Sequence, residues 1–426
     1  MRQPITSFVA AVFVCLSVSS APAKQAAVKL VVASVEVAGA RRYTPPEVTK
    51  LSGLEPGKTV TTADLDAAIQ RMAATGLFKK LNYRYVTAAG RTTVTFDIEE
   101  ADWTMPVVFD NFVWFKDEEL VAALKQNIPS FDGTAPNAEG ISDLISRELQ
   151  KVIAARKIAG RIDFVPQGTL KGLESFAFRV VDPAPKLCSI GFSGASAIKE
   201  QELVSVFAPV VGADYSRSYV TGTAKGTIVD LYHRRGHWRA SVAPPAAMVV
   251  TDSSCMGAAV TLAVNEGVPY TWDRAEWTGN VALASRDLDT AMPLKSGDVA
   301  NVMRIDDGIR RVHAAYGKQG YIGQRATYAP RLDETTRKAV FEIKIEEGLQ
   351  FRMGTITFAG LSESDAALLG RRWQLKPGEV FDASYYDKYY VEEIQPRLPR
   401  GSKPPAVETR VDEANRVVNI RFVFGG

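Results

Sequence analysis

The length and composition of the chain are those of a globular protein built from several modules. Its 426 residues are enough for about three domains of average size, and contents of 46% hydrophobic and 23% charged residues are typical of folded modules. The formal net charge is only +3, and lysines and arginines are spread among the acidic residues. This excludes the concentrated positive surface by which nucleic-acid-binding proteins are recognised.

The first residues have the pattern of a secretory signal peptide. Arg2 supplies a positive charge, residues 8–16 form an apolar segment, and Ala21-Pro22-Ala23 is a small-residue cleavage site before Lys24. The apolar segment is shorter than the roughly 20 residues of a membrane-spanning helix. We therefore predict a signal peptide over residues 1–23 and an exported mature chain; an uncleaved anchor or a buried N-terminal helix is the alternative.

After this leader, the sequence predicts a strand, two helices and two further strands. Residues 31–37 alternate as a strand, and Thr44 precedes a helix that begins Pro45-Pro46-Glu47. Thr61 or Thr62 caps a second helix, which stops at a glycine, Gly76. Residues 81–86 and 92–98 then alternate as two strands joined by a turn.

The last of these strands ends in a short sequence pattern that recurs along the chain. An apolar strand runs into acidic residues and a small residue at 96–101, 262–267 and 341–348, with a weaker copy at 178–183. The copies recur about every 80 residues, which is the pattern of a tandem array. We predict five units, with the boundaries 29–101, 104–183, 186–267, 270–348 and 350–426.

The predicted units are not equally regular. The second is the most degenerate, because no glycine follows its first strand, and in the fifth Gln395-Pro396 replaces the glycine that ends the second helix elsewhere. The joints between units are only a few residues long, which favours a semi-rigid rod. The joint at Ala184-Pro185, beside the degenerate unit, is the predicted hinge.

Two cysteines remain in the mature chain, Cys188 and Cys255, and both belong to the third unit. They precede its first and its last strand, so parallel pairing of those strands would bring them side by side. In the oxidising compartment that an exported protein meets, a disulfide closing a loop of about 70 residues contributes about 4 kcal/mol. We predict this disulfide; two buried free thiols are the alternative.

The histidines and acidic pairs do not have the pattern of a metal or catalytic site. His233 and His237 have the spacing of two ligands on a helix, but Gly236 intervenes and no further ligand is near in sequence, so a helix end is the favoured interpretation. The acidic pairs Glu99-Glu100 and Glu346-Glu347 recur at unit ends, which favours a structural role. We therefore predict no enzyme, no metal, no cofactor and no small-molecule substrate.

A tyrosine cluster near the end of the chain has two interpretations. Tyr385, Tyr386, Tyr389 and Tyr390 lie together on the last long helix, where alternate members would face inward and outward. An exposed pair would form a docking surface, because tyrosine contributes strongly to interfaces. Core packing is the favoured interpretation.

The order of elements and three short motifs resemble the polypeptide-transport-associated (POTRA) domain. The motifs are Gly-Leu-Glu-Pro-Gly-Lys at 53–58, the helix end Gly-Leu-Phe at 76–78, and the strand end Glu-Glu-Gly at 346–348. Five copies in register over residues 29–426 resemble the periplasmic array of the Omp85 family, whose members include proteins similar to BamA. The resemblance implies an α+β fold of β-α-α-β-β units, each a three-stranded mixed sheet covered by two helices.

The resemblance also implies a binding site. In the family, the second strand of the unit is an exposed edge that receives a strand from a client or a partner, and the alternative is an edge that is idle or blocked. The matching stretches here are 81–86, 161–165, 238–242 and 321–328. The candidate edge residues are Leu81, Tyr83, Tyr85, Trp238 and Tyr321.

The function implied is guidance or assembly of outer-membrane proteins from the periplasm, in association with the outer membrane. The implied partners are unfolded outer-membrane proteins, subunits of an assembly machine or a separate β-barrel. Nothing in the sequence after the fifth unit has the length of the barrel that follows this array in the family. We therefore expect a barrel-less array or the periplasmic half of a longer protein; a structural component that links other envelope machines is a further alternative.

Overall fold

The computed structural model describes residues 29–128, 131–252, 254–399 and 402–425. The predicted signal peptide, residues 1–23, lies outside the described residues. The chain divides into two compact units between Ala184 and Pro185. In the part of the chain that is described, no helix combines the length and the apolar character needed to cross a membrane.

The first compact unit contains the predicted order of elements twice. The first copy consists of β1 (Leu30–Ala38), α1 (Pro45–Ser52), β2 (Thr59–Val60), α2 (Thr62–Ala73), β3 (Phe78–Ala88) and β4 (Arg91–Glu100). The second consists of β5 (Trp103–Phe109), α3 (Asp117–Lys125), β6 (Thr134–Pro136), α4 (Ile141–Ala155), β7 (Arg161–Thr169) and β8 (Gly172–Val181).

Each copy forms one mixed sheet. Sheet 1 has the strand order β2-β1-β4-β3, and sheet 2 has the order β6-β5-β8-β7. The first and last long strands of a copy are parallel, and the strand between them in sequence is antiparallel to the last. The last strand therefore lies in the centre of the sheet. The prediction of three-stranded sheets missed the short strands β2 and β6, which pair with β1 and β5.

The second compact unit repeats this order three times. The first copy consists of β9 (Lys186–Ser193), α5 (Glu200–Ser205), α6 (Arg217–Thr223), a π-helical turn (Ala224–Ile228), α7 (Val229–His233), β10 (Ser241–Val242), β11 (Ala246–Asp252) and β12 (Cys255–Asn265). The second consists of β13 (Thr271–Thr278), α8 (Ser285–Ala291), α9 (Val302–Lys318), β14 (Arg325–Asp333) and β15 (Lys338–Glu346). The third consists of β16 (Arg352–Ala359), α10 (Glu363–Arg372), α11 (Tyr385–Tyr389), a π-helical turn (Tyr390–Ile394), β17 (Ala406–Asp412) and β18 (Val417–Val423).

The sheets of the second compact unit have the same topology. In sheet 3, β12 lies between β9 on one side and both β10 and β11 on the other; sheet 4 has the order β13-β15-β14 and sheet 5 the order β16-β18-β17. The edge of sheet 3 is broken into two strands at Pro244 and Pro245, because a proline has no backbone N–H to donate to the ladder. The predicted α+β fold of mixed sheets and helices is confirmed.

The core of each copy lies between the sheet and its helices. Alternate residues of the central strand face the helices and are buried, as Val94 and Phe96 are on β4. Leu65 and Met72 of α2 have no exposed surface and belong to the same cluster. In sheet 4, Phe341 of β15 occupies the corresponding face. The period of two on the strands and of 3.6 on the helices is therefore the sequence pattern that forms the core.

The acidic residue at the end of the repeated sequence pattern is hydrogen-bonded to the loop after the first strand. In three copies its carboxylate accepts hydrogen bonds from the backbone N–H groups of two consecutive loop residues. The N–O distances lie between 2.6 and 2.8 Å: Glu100 with Arg41 and Arg42, Glu266 with Ser196 and Ala197, and Glu347 with Val281 and Ala282. In sheets 3 and 4 a tyrosine of the second helix also donates its hydroxyl to this carboxylate at 2.9 Å, Tyr232 and Tyr316 respectively. These acidic residues therefore have a structural role.

A glycine begins the same loop because the backbone approaches the central strand closely. Gly279 has a φ of +78°, and a Cβ atom there would lie 2.2 Å from the carbonyl oxygen of Ile345. Sheet 2 has no glycine at this point. Its Asn111 instead donates to the carbonyl of Val180 at 2.9 Å and accepts from the N–H of Val180 at 2.7 Å. The degenerate copy thus closes the same loop with a side-chain amide.

The two cysteines of sheet 3 lie where the predicted disulfide needs them. Because β9 and β12 are parallel, Lys186 lies opposite Gly257 and Leu187 opposite Ala258. The Cα atoms of Cys188 and Cys255 are 5.8 Å apart, and the structure joins their Sγ atoms.

We expect the loop contact of Glu266 to make stability depend on pH. Desolvation acts to raise the pKa of Glu266, but hydrogen bonds from Ser196, Ala197 and Tyr232 outweigh it and lower the pKa from 4.5 to about 2. A group with a lowered pKa in the folded state stabilises the fold above its unfolded pKa, and this stabilisation is lost as the pH falls towards the folded pKa. Glu266→Gln should lower the free energy of unfolding at pH 7 by about 2 kcal/mol.

Thermal unfolding from pH 7 to pH 2 checks this expectation. The difference between wild type and Glu266→Gln should shrink as the pH falls from 4.5 towards 2, the window set by the two pKa values. Glu413→Gln, at an exposed position, is the matched control. A difference that stays constant over the whole pH range would contradict the role assigned to Glu266.

The disulfide is tested by the intact mass of the exported chain. Without reductant, the mass should be lower by two hydrogens and neither Cys188 nor Cys255 should react with a thiol-alkylating reagent. Cys255→Ser should lower the free energy of unfolding by about 4 kcal/mol, because it removes a cross-link over a long loop. Alkylation of both thiols in the folded, unreduced chain would rule the bridge out.

Candidate strand-addition edges

Each sheet ends on one side in a strand that has no further strand partner within the described residues. These edge strands are β3, β7, β11, β14 and β17. The opposite edge of each sheet is partly covered, because β2, β6 or a single bridge from the loop before the second helix pairs with the first strand. An unpaired row of backbone N–H and C=O groups can accept an extended chain as an additional strand.

Three of the predicted edge residues lie on β3. Leu81 and Tyr83 face the helices and pack against the core, and the Tyr83 hydroxyl donates to Asp66 Oδ1 on α2 at 2.8 Å. Tyr85 lies further along the strand and is 39% exposed, and Val86 is 68% exposed. The side chains fix β3 to α2, and its outer backbone groups have no strand partner among the residues that the structure describes.

Trp238 is not an edge residue, and this prediction was wrong. It lies in the turn between α7 and β10, where its indole N–H donates to the carbonyl of Ala300 at 2.7 Å. Its ring centroid is 5.0 Å from that of Phe341, so the side chain belongs to the core of sheet 4. The Tyr270 N–H donates to the carbonyl of Gly236 at 2.9 Å at the same joint. The residues after the helix therefore fasten one copy to the next.

Tyr321 is the second prediction that the structure corrects. It precedes β14, and its ring packs edge-on against Tyr316 at 5.9 Å. The next residue, Ile322, packs against the core of sheet 5. Gly320 has a φ of +81° and accepts a hydrogen bond from the Phe351 N–H at 2.9 Å. The sequence Gly-Tyr-Ile thus builds a joint, as Gly-His-Trp does one copy earlier.

The two histidines of the third copy belong to its joint. His233 stacks on Trp238 with ring centroids 4.6 Å apart, and desolvation lowers its pKa while Asp230 acts in the opposite direction. His237 is buried, and its Nδ1 lies 3.1 Å from the carbonyl oxygen of Glu266. The described residues contain no group of three or more His, Cys, Asp or Glu side chains that could hold a metal ion.

The tyrosine cluster of the last copy contributes mainly to its core. Tyr389 is buried and donates its hydroxyl to the carbonyl of Leu369 at 2.7 Å. The Trp373 ring lies 4.8 Å from Tyr385 and 4.9 Å from Tyr389. Tyr386 instead faces a groove.

This groove, of about 360 Å³, lies beside the edge strand of sheet 5. Thr409 of β17 forms one side, His313 and Gly317 of α9 form another, and Phe381 and Tyr386 lie between them. Sequence reasoning missed the groove, because its walls come from segments far apart in the chain and no local pattern marks them. An engineered cavity of about 150 Å³ binds benzene, so this groove has room for an aromatic side chain.

The edges differ in charge on the face of the sheet opposite the helices. On sheet 1, Lys80 pairs with Glu99 at 2.7 Å and Arg84 with Asp97 at 2.6 Å. On sheet 3, β11 has no charged side chain before Asp252, and its Met248 is 68% exposed. Exposed ion pairs contribute little to stability. The ion pairs therefore distinguish the edges by their polarity more than by their stability.

Residues 30–101 and 270–348 each match the family model named POTRA, described as "Surface antigen variable number repeat". These two stretches of the chain are therefore similar to POTRA domains. The two matched stretches are the copies built on sheets 1 and 4, and sheets 2, 3 and 5 have the same parallel pairing of first and last strand and the same antiparallel edge.

A curated relative and two solved structures are similar to this chain. The "Putative outer membrane protein assembly factor" of Treponema pallidum is 24% identical over 252 residues, which cover 55% of this chain and 30% of that protein. The chain thus matches less than a third of the length of this relative. The crystal structure of Haemophilus influenzae BamA POTRA3-5 is 18% identical, covers 57% of this chain and 96% of its own, and has a TM-score of 0.41. The N-terminal domain of Omp85 from Thermosynechococcus elongatus is 16% identical, covers 75% and 98%, and has a TM-score of 0.19.

We expect Trp238→Ala to weaken the second compact unit without touching an edge. Loss of the indole removes its packing against Phe341 and its hydrogen bond to Ala300, at a cost of about 3 kcal/mol in the free energy of unfolding. Tyr85→Ala, at an exposed position on β3, should change it by less than about 0.5 kcal/mol. Urea unfolding of the two variants gives the comparison. Unchanged stability in Trp238→Ala would contradict the joint contact.

Proposed function

We propose that this chain binds extended polypeptide segments by β-strand addition while outer-membrane proteins are assembled or transported. The observation that carries the proposal is the edge strand without an outer strand partner that recurs in each of the five described sheets. Backbone hydrogen bonds supply affinity with little demand on side chains. Such a site suits clients of many different sequences and needs no catalytic group or cofactor.

The comparisons support the cellular task. The family model matches two of the copies, and the relative from Treponema pallidum is named as an outer membrane protein assembly factor. The clients we propose are unfolded outer-membrane proteins or other subunits of an assembly machine. The location we propose is the periplasm, in association with the outer membrane, which agrees with the predicted signal peptide.

The joints favour a second function, that of a structural component linking other envelope machines. The contacts of Trp238 and Gly236 with the following copy, and of Gly320 and Ile322 with the next, fix neighbouring domains to one another. The three copies of the second compact unit, fixed in this way, would serve as a spacer even if their edges bound nothing. Binding of an extended peptide at the edges separates the two functions.

The experiment is hydrogen exchange of the purified chain with a synthetic peptide of about ten residues, the length of a membrane-spanning β-strand. At a peptide concentration about ten times its Kd, the amides of β3 should exchange about tenfold more slowly. Tyr83→Pro removes one N–H from the edge and should abolish this slowing on β3. Tyr83→Ala loses the same contact with Asp66 but keeps the N–H, and should retain the slowing.

Two results would contradict strand addition. One is equal slowing in Tyr83→Pro and Tyr83→Ala. The other is a peptide that binds the chain while every edge strand exchanges at its free rate. The second result, in a folded chain, would favour the linking function.

A further inference from the structure

Two of the five edge strands carry a proline at the same register position. Pro166 of β7 lies opposite Phe176, and Pro330 of β14 lies opposite Phe341. In both central strands, a residue near the end of the strand contacts the loop after the first strand. This residue is Val180, beside Asn111, in sheet 2 and Ile345, beside Gly279, in sheet 4. Phe176 and Phe341 each lie four residues before it. By the same measure the position holds Tyr85 opposite Val94 in sheet 1, Ala247 opposite Val260 in sheet 3 and Thr409 opposite Ile420 in sheet 5.

At this position the backbone N–H of the edge strand points away from the sheet. The central residues of the same parity direct their backbone groups to the first strand: the Asp110 N–H donates to the Phe178 carbonyl at 2.9 Å, and the Phe424 N–H donates to the Ala359 carbonyl at 2.9 Å. The N–H and C=O groups of successive residues point to opposite sides of a strand, so residues two apart point to the same side. The backbone groups of Phe176 and Ile420 therefore also point to the first strand of their sheets. The residues opposite them therefore direct their own N–H groups to the outer edge.

A proline here removes a donor that an added strand would use, and leaves the ladder with β8 or β15 intact. This is the position at which a proline is tolerated in a sheet and at which it blunts an edge. Sheet 2 is blunted twice, because the N–H of Ile162, which has the same parity as Pro166, donates to Oε1 of Gln150 on α4 at 2.9 Å.

The edge strands β3, β11 and β17 themselves contain no proline. In β3 the outward donors belong to Leu81, Tyr83, Tyr85 and Thr87, in β11 to Ala247, Val249 and Thr251, and in β17 to Val407, Thr409 and Val411. In sheet 3, Pro244 and Pro245 lie between β10 and β11, so β11 itself contains no proline.

We infer that strand addition is confined to sheets 1, 3 and 5, and that Pro166 and Pro330 close sheets 2 and 4 to extended segments. The inference rests on the proposed function and adds a selection among its sites. A client is therefore received at alternate copies of the array.

The test maps the slowed amides edge by edge with the same synthetic peptide. In the wild type, β3, β11 and β17 should exchange about tenfold more slowly at a peptide concentration about ten times Kd, whereas β7 and β14 should be unchanged. Pro330→Thr should add β14 to the slowed strands. Thr409→Pro should remove β17 from them, and Thr409→Val, which keeps the N–H, should not.

A second pair of variants checks the direction of the N–H groups. Thr409→Pro should keep a melting temperature close to that of the wild type, because its N–H faces outward. Glu408→Pro should melt well below it, because this neighbouring N–H pairs with β18. Equal loss in both variants would overturn the assignment of the edge position.

The remaining outcomes separate this inference from the function on which it rests. Slowing of β7 or β14 in the wild type to the same extent as β3 would overturn the proline selection and leave strand addition standing. A folded Pro330→Thr variant in which β3 is slowed and β14 is not would do the same. If no edge is slowed in any variant, the proposed function and the selection both fail.

Discussion

The parallel pairing of the first and last strands is the constraint on which each copy depends. It places the last strand in the centre of the sheet and forces the strand before it to an edge. It also brings the end of the central strand beside the loop after the first strand, so that Glu100, Glu266 and Glu347 can reach that loop. The starts of the same two strands meet at the other end, which is where Cys188 and Cys255 lie. The edge, the loop contact and the disulfide are thus consequences of one ladder.

The sequence allowed the order of elements to be predicted because that order rests on local patterns repeated in register. The alternation of apolar residues, the helix caps and the repeated strand ends are each weak signals, but several copies in register make the prediction stronger. The fate of Trp238 and Tyr321 could not be predicted in this way. Both lie next to an edge strand in sequence, yet their partners, Ala300 and Tyr316 among them, are set by the joint and the helix. The groove beside β17 was missed for the same reason, since three separate segments form it.

The degenerate second copy shows which parts of the pattern the fold requires. In the loop after its first strand, Asn111 replaces both the glycine and the glutamate. Its hydrogen bonds to Val180 fix the loop to the central strand. The parallel pairing of β5 and β8 and the antiparallel edge β7 are kept. A motif can therefore disappear from the sequence while the contact that it provides is made by other chemistry.

An edge that is open to strand addition, as we propose for β3, is also open to pairing between identical chains. β3 is the longest of the edges without proline, and it carries Lys79, Lys80 and Arg84. Two such edges brought together would desolvate both sets of ion pairs, Lys80 with Glu99 and Arg84 with Asp97, whereas pairing with a neutral client segment would desolvate only one set. β11 has no such charge, but it is shorter and the edge of its sheet is interrupted just before it by Pro244 and Pro245. The charged side chains of the long strand β3 and the short length of the apolar strand β11 both oppose pairing between identical chains. Both strands keep outward N–H groups with which a partner segment can pair.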